Sequence, residues 1–344
     1  MRRAVYLFLI LMSCSQTNSL TIPVEVFLYP IPFNGKYGYV DKNLDLVVKP
    51  IFKKAFTFQE GYGRVQFDEK TWGFIDKNGT IIVKLNCIYL DNFNSGIAMF
   101  TKDDKKKGFI TNQGKIIIEN LRNALSFTNG IGYGLFSDGW KFIDQSGNVL
   151  FHGQAFESIT PFSDDLAFVE SEGEFYFKFI DKNGKTVLNS KFTASGSQFS
   201  EGLAFVQISD KKGYINKKGE FVIRDDEIAH AYPFYHGVAL IAKGFLPDFV
   251  YDLIDTEGNY ITEFISGINF ATPFVEGFSI VSSDDKGAGY LDTHGQFLID
   301  LQFDTLDHFH GPYGIGYING KQEAFIDRNG SIYRVKDIID KIMM

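Results

Sequence analysis

The sequence is poor in cysteine, tryptophan and basic charge. Two cysteines in 344 residues, Cys14 and Cys87, rule out a disulfide framework, so the fold must stand on packing. No apolar run approaches the ~20 residues that a membrane-spanning helix requires. Long apolar stripes at helical spacing are missing, which argues against a helical bundle. Lys and Arg number 34 against 42 Asp and Glu, a formal charge of −8. Such a field repels phosphate backbones and disfavours nucleic acid as a partner. The one dense basic run, Lys105, Lys106 and Lys107, lies beside Asp103 and Asp104 and reads as a solvated hairpin loop. Also missing are the Gly-x-Ser-x-Gly elbow, the Walker glycine loop, Cys-x-x-Cys and His-Glu-x-x-His. What is abundant is aromatic: 36 Phe and 17 Tyr, residues that favour strands, so an all-β protein is expected.

The first residues differ from the rest. Arg2 and Arg3 precede an apolar run from Ala4 to Met12, and Ser13 precedes Cys14. That run is too short to span a bilayer and reads as a signal-peptide core, residues 1–13, which implies export. The junction Leu11-Met12-Ser13-Cys14 resembles a bacterial lipobox, with Met12 where a smaller residue is more usual. The resemblance implies a diacylglyceryl group on the Cys14 thiol, an acylated new amino terminus and a polar tether over 14–23. Anchoring by several acyl chains is the regime in which membrane attachment becomes stable. Loss of Arg2 and Arg3 would take the charge from −8 to −10. Cys87, among Leu85, Ile88 and Leu90, reads as an inert core thiol.

The strongest pattern is an internal repeat over 24–336. An aromatic or Leu, then Ile, Val or Leu, then Asp, Asn or Thr recurs nine times: at Tyr39-Val40-Asp41, Phe74-Ile75-Asp76, Phe109-Ile110-Thr111, Phe142-Ile143-Asp144, Phe179-Ile180-Asp181, Tyr214-Ile215-Asn216, Leu253-Ile254-Asp255, Tyr290-Leu291-Asp292 and Phe325-Ile326-Asp327. A Gly follows three residues later in every copy but the first, which has Leu44. Asp opening a turn and Gly in the left-handed place is the chemistry of strand reversal. A second signature, Phe-x-x-Gly, sits between the copies, as in Phe58 to Gly61, Phe93 to Gly96, Phe199 to Gly202 and Phe274 to Gly277, with degenerate versions at 162–165 and 309–312. Short alternating strands follow it, such as Leu203-Ala204-Phe205-Val206. Each unit of roughly 36 residues therefore holds about three antiparallel strands.

This pattern resembles the WG, or KWG, repeat family of bacterial proteins. The namesake appears intact once, in Trp72-Gly73-Phe74-Ile75-Asp76; other copies read Lys36-Tyr37-Gly38, Lys106-Lys107-Gly108 and Lys211-Lys212-Gly213, and Gly139-Trp140-Lys141 keeps the Trp and loses the Gly. The resemblance speaks for architecture and is nearly silent on activity.

A three-stranded unit of this size cannot bury its own aromatic face, so neighbours must stack. Two layouts satisfy that: a closed, propeller-like ring, or an open β-rich array with capped ends. The two ends carry complementary missing pieces, which favours closure. A C-terminal tail, 337–344, follows the array; with Lys336 it reads as a short amphipathic helix, with Ile338, Ile339, Ile342 and Met343 on one side, capping an exposed edge.

Candidate chemistry is sparse. His308 and His310 would share a strand face, with His294 one hairpin earlier, but no further ligand is fixed by spacing, so a surface pair is expected and no metal. The Asp-Lys-Asn-Gly runs at 76–79 and 181–184 lack the later bidentate Glu of a calcium loop and read as turns. The acidic pairs Asp164-Asp165, Asp225-Asp226 and Asp284-Asp285 read as loop charges. The expectation is a lipid-anchored cell-envelope binding or scaffold protein, not an enzyme, with no cofactor and with a protein or glycan ligand. The alternatives are a propeller-type glycan hydrolase and a purely structural envelope protein.

Overall fold

The computed structural model describes residues 26–151, 156–171, 176–192, 198–244, 249–262, 264–265 and 267–344. The leader, residues 1–13, and the Cys14 tether lie outside them.

Strand reversal follows the turn chemistry at every copy. In the loop after Phe74-Ile75, the Asp76 carboxylate accepts hydrogen bonds from the Asn78 and Thr80 amides at 2.9 and 2.8 Å, and Gly79 N–H donates to Asp76 C=O at 3.0 Å. The same arrangement recurs at Asp41, Thr111, Asp144, Asp181, Asn216, Asp255, Asp292 and Asp327. Gly79 has φ +83°, and Leu44, the residue that breaks the glycine pattern, adopts the same left-handed backbone at φ +62°. Its side chain offsets that strain by burial against the last unit of the chain. The Phe-x-x-Gly signature is a two-residue hairpin. In Phe58-Gln59-Glu60-Gly61, Gln59 and Tyr62 exchange both backbone hydrogen bonds, and Glu60 and Gly61 have φ +52° and +82°, the type I′ pattern.

These turns order the chain into nine antiparallel units. The second runs Lys54–Ala55, Gly63–Gln66, Thr71–Ile75, Ile81–Asn86, each strand paired to the next. To the three strands expected per unit, every unit but the first and sixth adds, among the described residues, a first strand that can be as short as two residues, at Lys54–Ala55, Tyr89–Leu90 and Phe270–Ala271. The fourth and fifth units share one seven-stranded sheet, joined through the single pair Trp140–Phe156. The glycine of Trp72-Gly73 lets the fourth strand bulge inward: a Cβ there would lie 2.1 Å from Val83 C=O, beside the register shift at Phe74/Ile75.

Both sequence signatures meet at the contact between units. The aromatic before Ile-Asp in one unit packs on the Phe of Phe-x-x-Gly in the next, with ring centroids 3.8 to 5.1 Å apart at Tyr39–Phe58, Phe74–Phe93, Phe109–Phe127, Phe142–Phe162, Phe179–Phe199, Tyr214–Phe234 and Tyr290–Phe309. Leu253 meets Phe274 in the same way within one apolar cluster. Where the aromatic is Tyr, its hydroxyl also donates across the interface, as from Tyr39 to Phe56 C=O at 2.9 Å and from Tyr214 to Tyr232 C=O at 2.8 Å.

The array closes. An open row of nine units has eight interfaces, whereas the described residues form nine apolar clusters, one for each neighbouring pair including the last with the first. In that ninth cluster Tyr313, Ile315 and Phe325 pack on Tyr29, Ile31, Val40 and Leu44. Tyr29 hydroxyl donates to His310 C=O at 2.6 Å, Tyr313 hydroxyl to Lys42 C=O at 3.1 Å, and Gln322 side-chain amide to Pro30 C=O at 2.9 Å. Among the described residues the closing contacts are side chains between separate sheets. A helix, α1 (Val335–Met343), covers this seam with Val335 and Ile338 buried, and Lys341 pairs with Asp45 at 2.9 Å. The fold is a nine-unit β-propeller, above the usual range of roughly four to eight blades.

Phe179 is 1% exposed at one such contact. Phe179→Ala should lower unfolding stability by ~3–5 kcal/mol. In a double-mutant cycle with Phe199→Ala the pair should show ~0.5–1.5 kcal/mol of coupling in denaturant titrations. Additivity would mean that the signatures do not act on each other.

Candidate functional site

Antiparallel pairing sends the Phe-x-x-Gly and Asp-x-x-Gly turns of every unit to one face of the ring. The hairpins between second and third strands go to the other. The two faces are built on opposite principles.

On the turn face, side chains fasten unit to unit. Glu60, the third residue of its turn, accepts from the amides of Ser95 and Gly96 in the next turn at 2.7 and 2.8 Å. Glu201 does the same with His236 and Gly237. Asp164 accepts from Gly202 N–H at 2.6 Å, Glu276 from Gly311 N–H at 3.0 Å, and Ser95 hydroxyl from Gly130 N–H at 3.1 Å. Residues one past the Asp of the other turn add cations: Lys217 donates to Asp164 C=O at 2.7 Å, and Arg328 to Gly311 and Glu276 C=O at 2.7 and 2.8 Å. Charged acceptors on backbone amides are among the stronger hydrogen bonds. This face is thereby a belt whose polar groups hold the ring.

On the hairpin face the frame stays constant while the connections vary. Two residues join the strands Tyr29–Phe33 and Lys36–Val40, five join Ile97–Thr101 and Lys107–Thr111, and six join Val238–Lys243 and Val250–Asp255. Clefts open among them. One of about 520 Å³ is lined by Lys212, Asp226, Glu227, His230, Lys243 and Phe249. Burial would lower the Lys243 ammonium, but hydrogen bonds with Asp225 and Tyr260 outweigh it and raise its pKa. A second, of about 370 Å³, holds Trp140 and Phe156 with Asp138 and Glu157 at its rim. Beside the seam, α1 and the first unit enclose an apolar groove of about 400 Å³ lined by Ile31, Phe33, Leu46, Ile51, Ile339 and Ile342.

The residues singled out in the sequence fall as follows. Cys14 lies outside the described residues. Cys87 is 1% exposed, and burial pushes its thiol up to about 12. His308 and His310 are drawn apart. The His310 ring meets Phe27 edge-on, with Glu276 at 3.9 Å, whereas His308 sits beside Asp307, lowered by burial with Nδ1 lacking a partner. His294 is on an exposed turn near Asp292. Among the described residues no three His, Cys, Asp or Glu side chains are placed to hold a metal ion. The runs at 76–79 and 181–184 spend their leading carboxylates on their own loop amides. Of the acidic pairs, Asp164 and Asp165 belong to the belt, Asp225 and Asp226 bind Lys243 and Arg224, and Asp285 is close to Ser283 on an exposed loop. Asp103 pairs with Lys70 across two hairpins at 2.9 Å. The belt was not anticipated, although its signal is the acid in the third place of Phe-x-x-Gly at Glu60, Glu201 and Glu276.

A family model described as WG containing repeat matches residues 37–70, 72–105, 140–175, 179–211 and 289–321. Each match begins in a third strand and ends in the second–third hairpin of the next unit or one residue past it, so one sequence repeat straddles one interface. Among solved structures, one described as the eukaryotic initiation factor is similar with a TM-score of 0.64 at 11% identity, covering 90% of this chain and 95% of that one. The computationally designed Ika8 protein gives a TM-score of 0.50 at 14% identity over 80% and 93%. BamB from Moraxella catarrhalis gives 0.43 at 10% over 74% and 92%. At these identities the likeness is one of fold alone. No curated protein matches the chain by sequence.

Two outcomes follow from the site chemistry. Glu201→Ala, which frees two turn amides, should lower stability by about 1–2 kcal/mol in thermal and denaturant unfolding. In a Cys14→Ser chain, Cys87 should stay unmodified by a thiol reagent at pH 8 and react only on unfolding; prompt labelling would show the interface between the second and third units to be open.

Proposed function

Starting from WG-containing repeats closed into a ring, we propose that this chain is an exported, lipid-anchored recognition protein that binds a partner of the cell envelope through its hairpin face. One observation carries the reading: connections of two to six residues vary from unit to unit over a constant frame. In repeat proteins, per-unit variation gathered on one face is the mark of the binding surface, while the scaffold positions it.

The anchor reading rests on Leu11-Met12-Ser13-Cys14 and the short apolar run before it. Multiple acyl chains would hold the ring at a membrane. Binding rather than turnover fits a belt whose carboxylates are occupied in holding neighbouring turns.

Fractionation tests the anchor: wild type should sediment with membranes and Cys14→Ser should move to the soluble fraction. Retention of the variant on membranes would sink the lipid reading. Recognition is tested separately, by exchanging the connection at 102–106 or 284–286 for the two-residue Asn34-Gly35 turn. Each exchange should leave unfolding temperature within a few degrees and reduce capture of envelope components several-fold. Unchanged capture by every exchange would remove the assignment of that face.

A further inference from the structure

The nine units supply an internal comparison at each position. The second-strand residue opposite the signature aromatic is Pro30, Arg64, Met99, Tyr133, Phe168, Phe205, Leu240, Ile280 and Ile315 in chain order. Eight units place an uncharged, apolar or aromatic residue there, and one buries an arginine.

Arg64 is 8% exposed. Its guanidinium lies 3.7 Å from the Phe56 ring centroid and 5.9 Å from those of Trp72 and Tyr89. Nη1 donates to Leu90 C=O at 2.7 Å, the guanidinium also hydrogen-bonds the Tyr89 side chain, and Nε has no partner. Two neighbours are also unsatisfied: Trp72 Nε1 and Gln66 Oε1, on residues paired across the two strands and 5% exposed each. The Asp91 charge acts on Arg64, but its carboxylate is engaged by Ser126 hydroxyl and Asn92 N–H. Burying a charge with donors unused costs stability that an apolar side chain would not. Three unsatisfied buried polar atoms around one cation are unusual unless something else completes them. The pair Gln66–Trp72 is the last before the connection at 67–70, so the cluster sits at the hairpin-face end of the interface between the second and third units. Tyr89, 40% exposed, forms its outer wall.

We propose that this cluster is the ligand pocket of the hairpin face and receives the carboxylate of an acidic sugar, a proposal that rests on that face being the recognition surface. Arg64 Nε and Trp72 Nε1 donate to the carboxylate, Gln66 Oε1 accepts from a sugar hydroxyl, and the Tyr89 ring provides the apolar wall against which a sugar ring lies. Access requires Tyr89 to swing outward and exchange its hydrogen bond with Arg64 for the ligand's, a rotamer change open to an exposed side chain. The carboxylate can come from a free sugar acid or from a uronic-acid polysaccharide.

The test uses the full chain with Cys14→Ser and Trp140→Phe, which leaves Trp72 as the one tryptophan. Glucuronate, a polyglucuronate oligosaccharide and a neutral glucose oligosaccharide are titrated while Trp72 fluorescence and the unfolding temperature are read. A uronate should give a saturable fluorescence change and a raised unfolding temperature, and the neutral sugar neither. Response to glucuronate itself assigns a free sugar acid, and response to the oligosaccharide alone assigns a polysaccharide. Arg64→Met, which places here the residue type of Met99 in the next unit, should abolish the response with an unfolding temperature equal to or above the parent's. Arg64→Lys, which keeps the charge and loses Nε, should weaken binding at least tenfold, and it decides the matter if the Met variant fails to fold. Silence of the parent to both uronates, or undiminished binding by the Arg64 variants, overturns the proposal. If the uronates fail while the hairpin exchanges still abolish partner capture, the recognition face stands and only this pocket falls.

Discussion

Everything in this ring hangs on one aromatic contact repeated around it. A ring contributed two residues before an Asp turn packs on a Phe that opens the next two-residue hairpin, and the contact joins the apolar faces of two units. A single unit would leave one side of each ring uncovered, so stability depends on neighbours. The same contact aligns the turns closely enough for Glu60 or Glu201 to reach the next turn's amides. The belt is therefore downstream of the aromatic packing, and it contributes orientation more than burial. The seam obeys the rule with different residues: Phe325 meets Tyr29, at 6.0 Å, and α1 adds the apolar area that a regular turn would have supplied.

The division of labour between faces has a physical origin. Turns that must offer amides to a neighbour are constrained in length and backbone angle, which is why Glu60, Ser95, Asn129, Glu201, His236 and Glu276 all hold φ near +50° despite their side chains. Hairpins at the other face touch fewer partners and are free to change length. Variation can accumulate there without disturbing the core.

Much of this was legible in the sequence and some was not. The nine Asp turns could be read because Asp and Gly each have a local reason to be there, and the fold class followed from aromatic content and alternation. The all-β, propeller-like reading stands, and the helix expected from Lys336 to Met344 lies at Val335–Met343. Closure was favoured only by the complementary pieces missing at the two ends, because the contact that makes it, Tyr29 with Phe325, joins residues too far apart in sequence for a local pattern to report. The first strands escaped notice because two residues such as Lys54–Ala55 carry no period. That the two signatures touch each other was hidden for a similar reason: sequence lays them 18 to 20 residues apart in all seven ring pairs, as from Tyr39 to Phe58 and Phe74 to Phe93, and only the stacking brings them together. Nothing in the local sequence marks the burial of Arg64, which shows only when the nine units are compared position by position.

Closure also bears on how such a chain can change its length over evolutionary time. An open solenoid gains or loses a unit at either end and leaves the remaining interfaces as they were. In a ring the wedge angle of every interface is tied to the number of units, so duplication or loss of one repeat would force all the others to re-pack at once. Novelty is therefore channelled into point changes and into the hairpins, and the unit count becomes the character most resistant to drift.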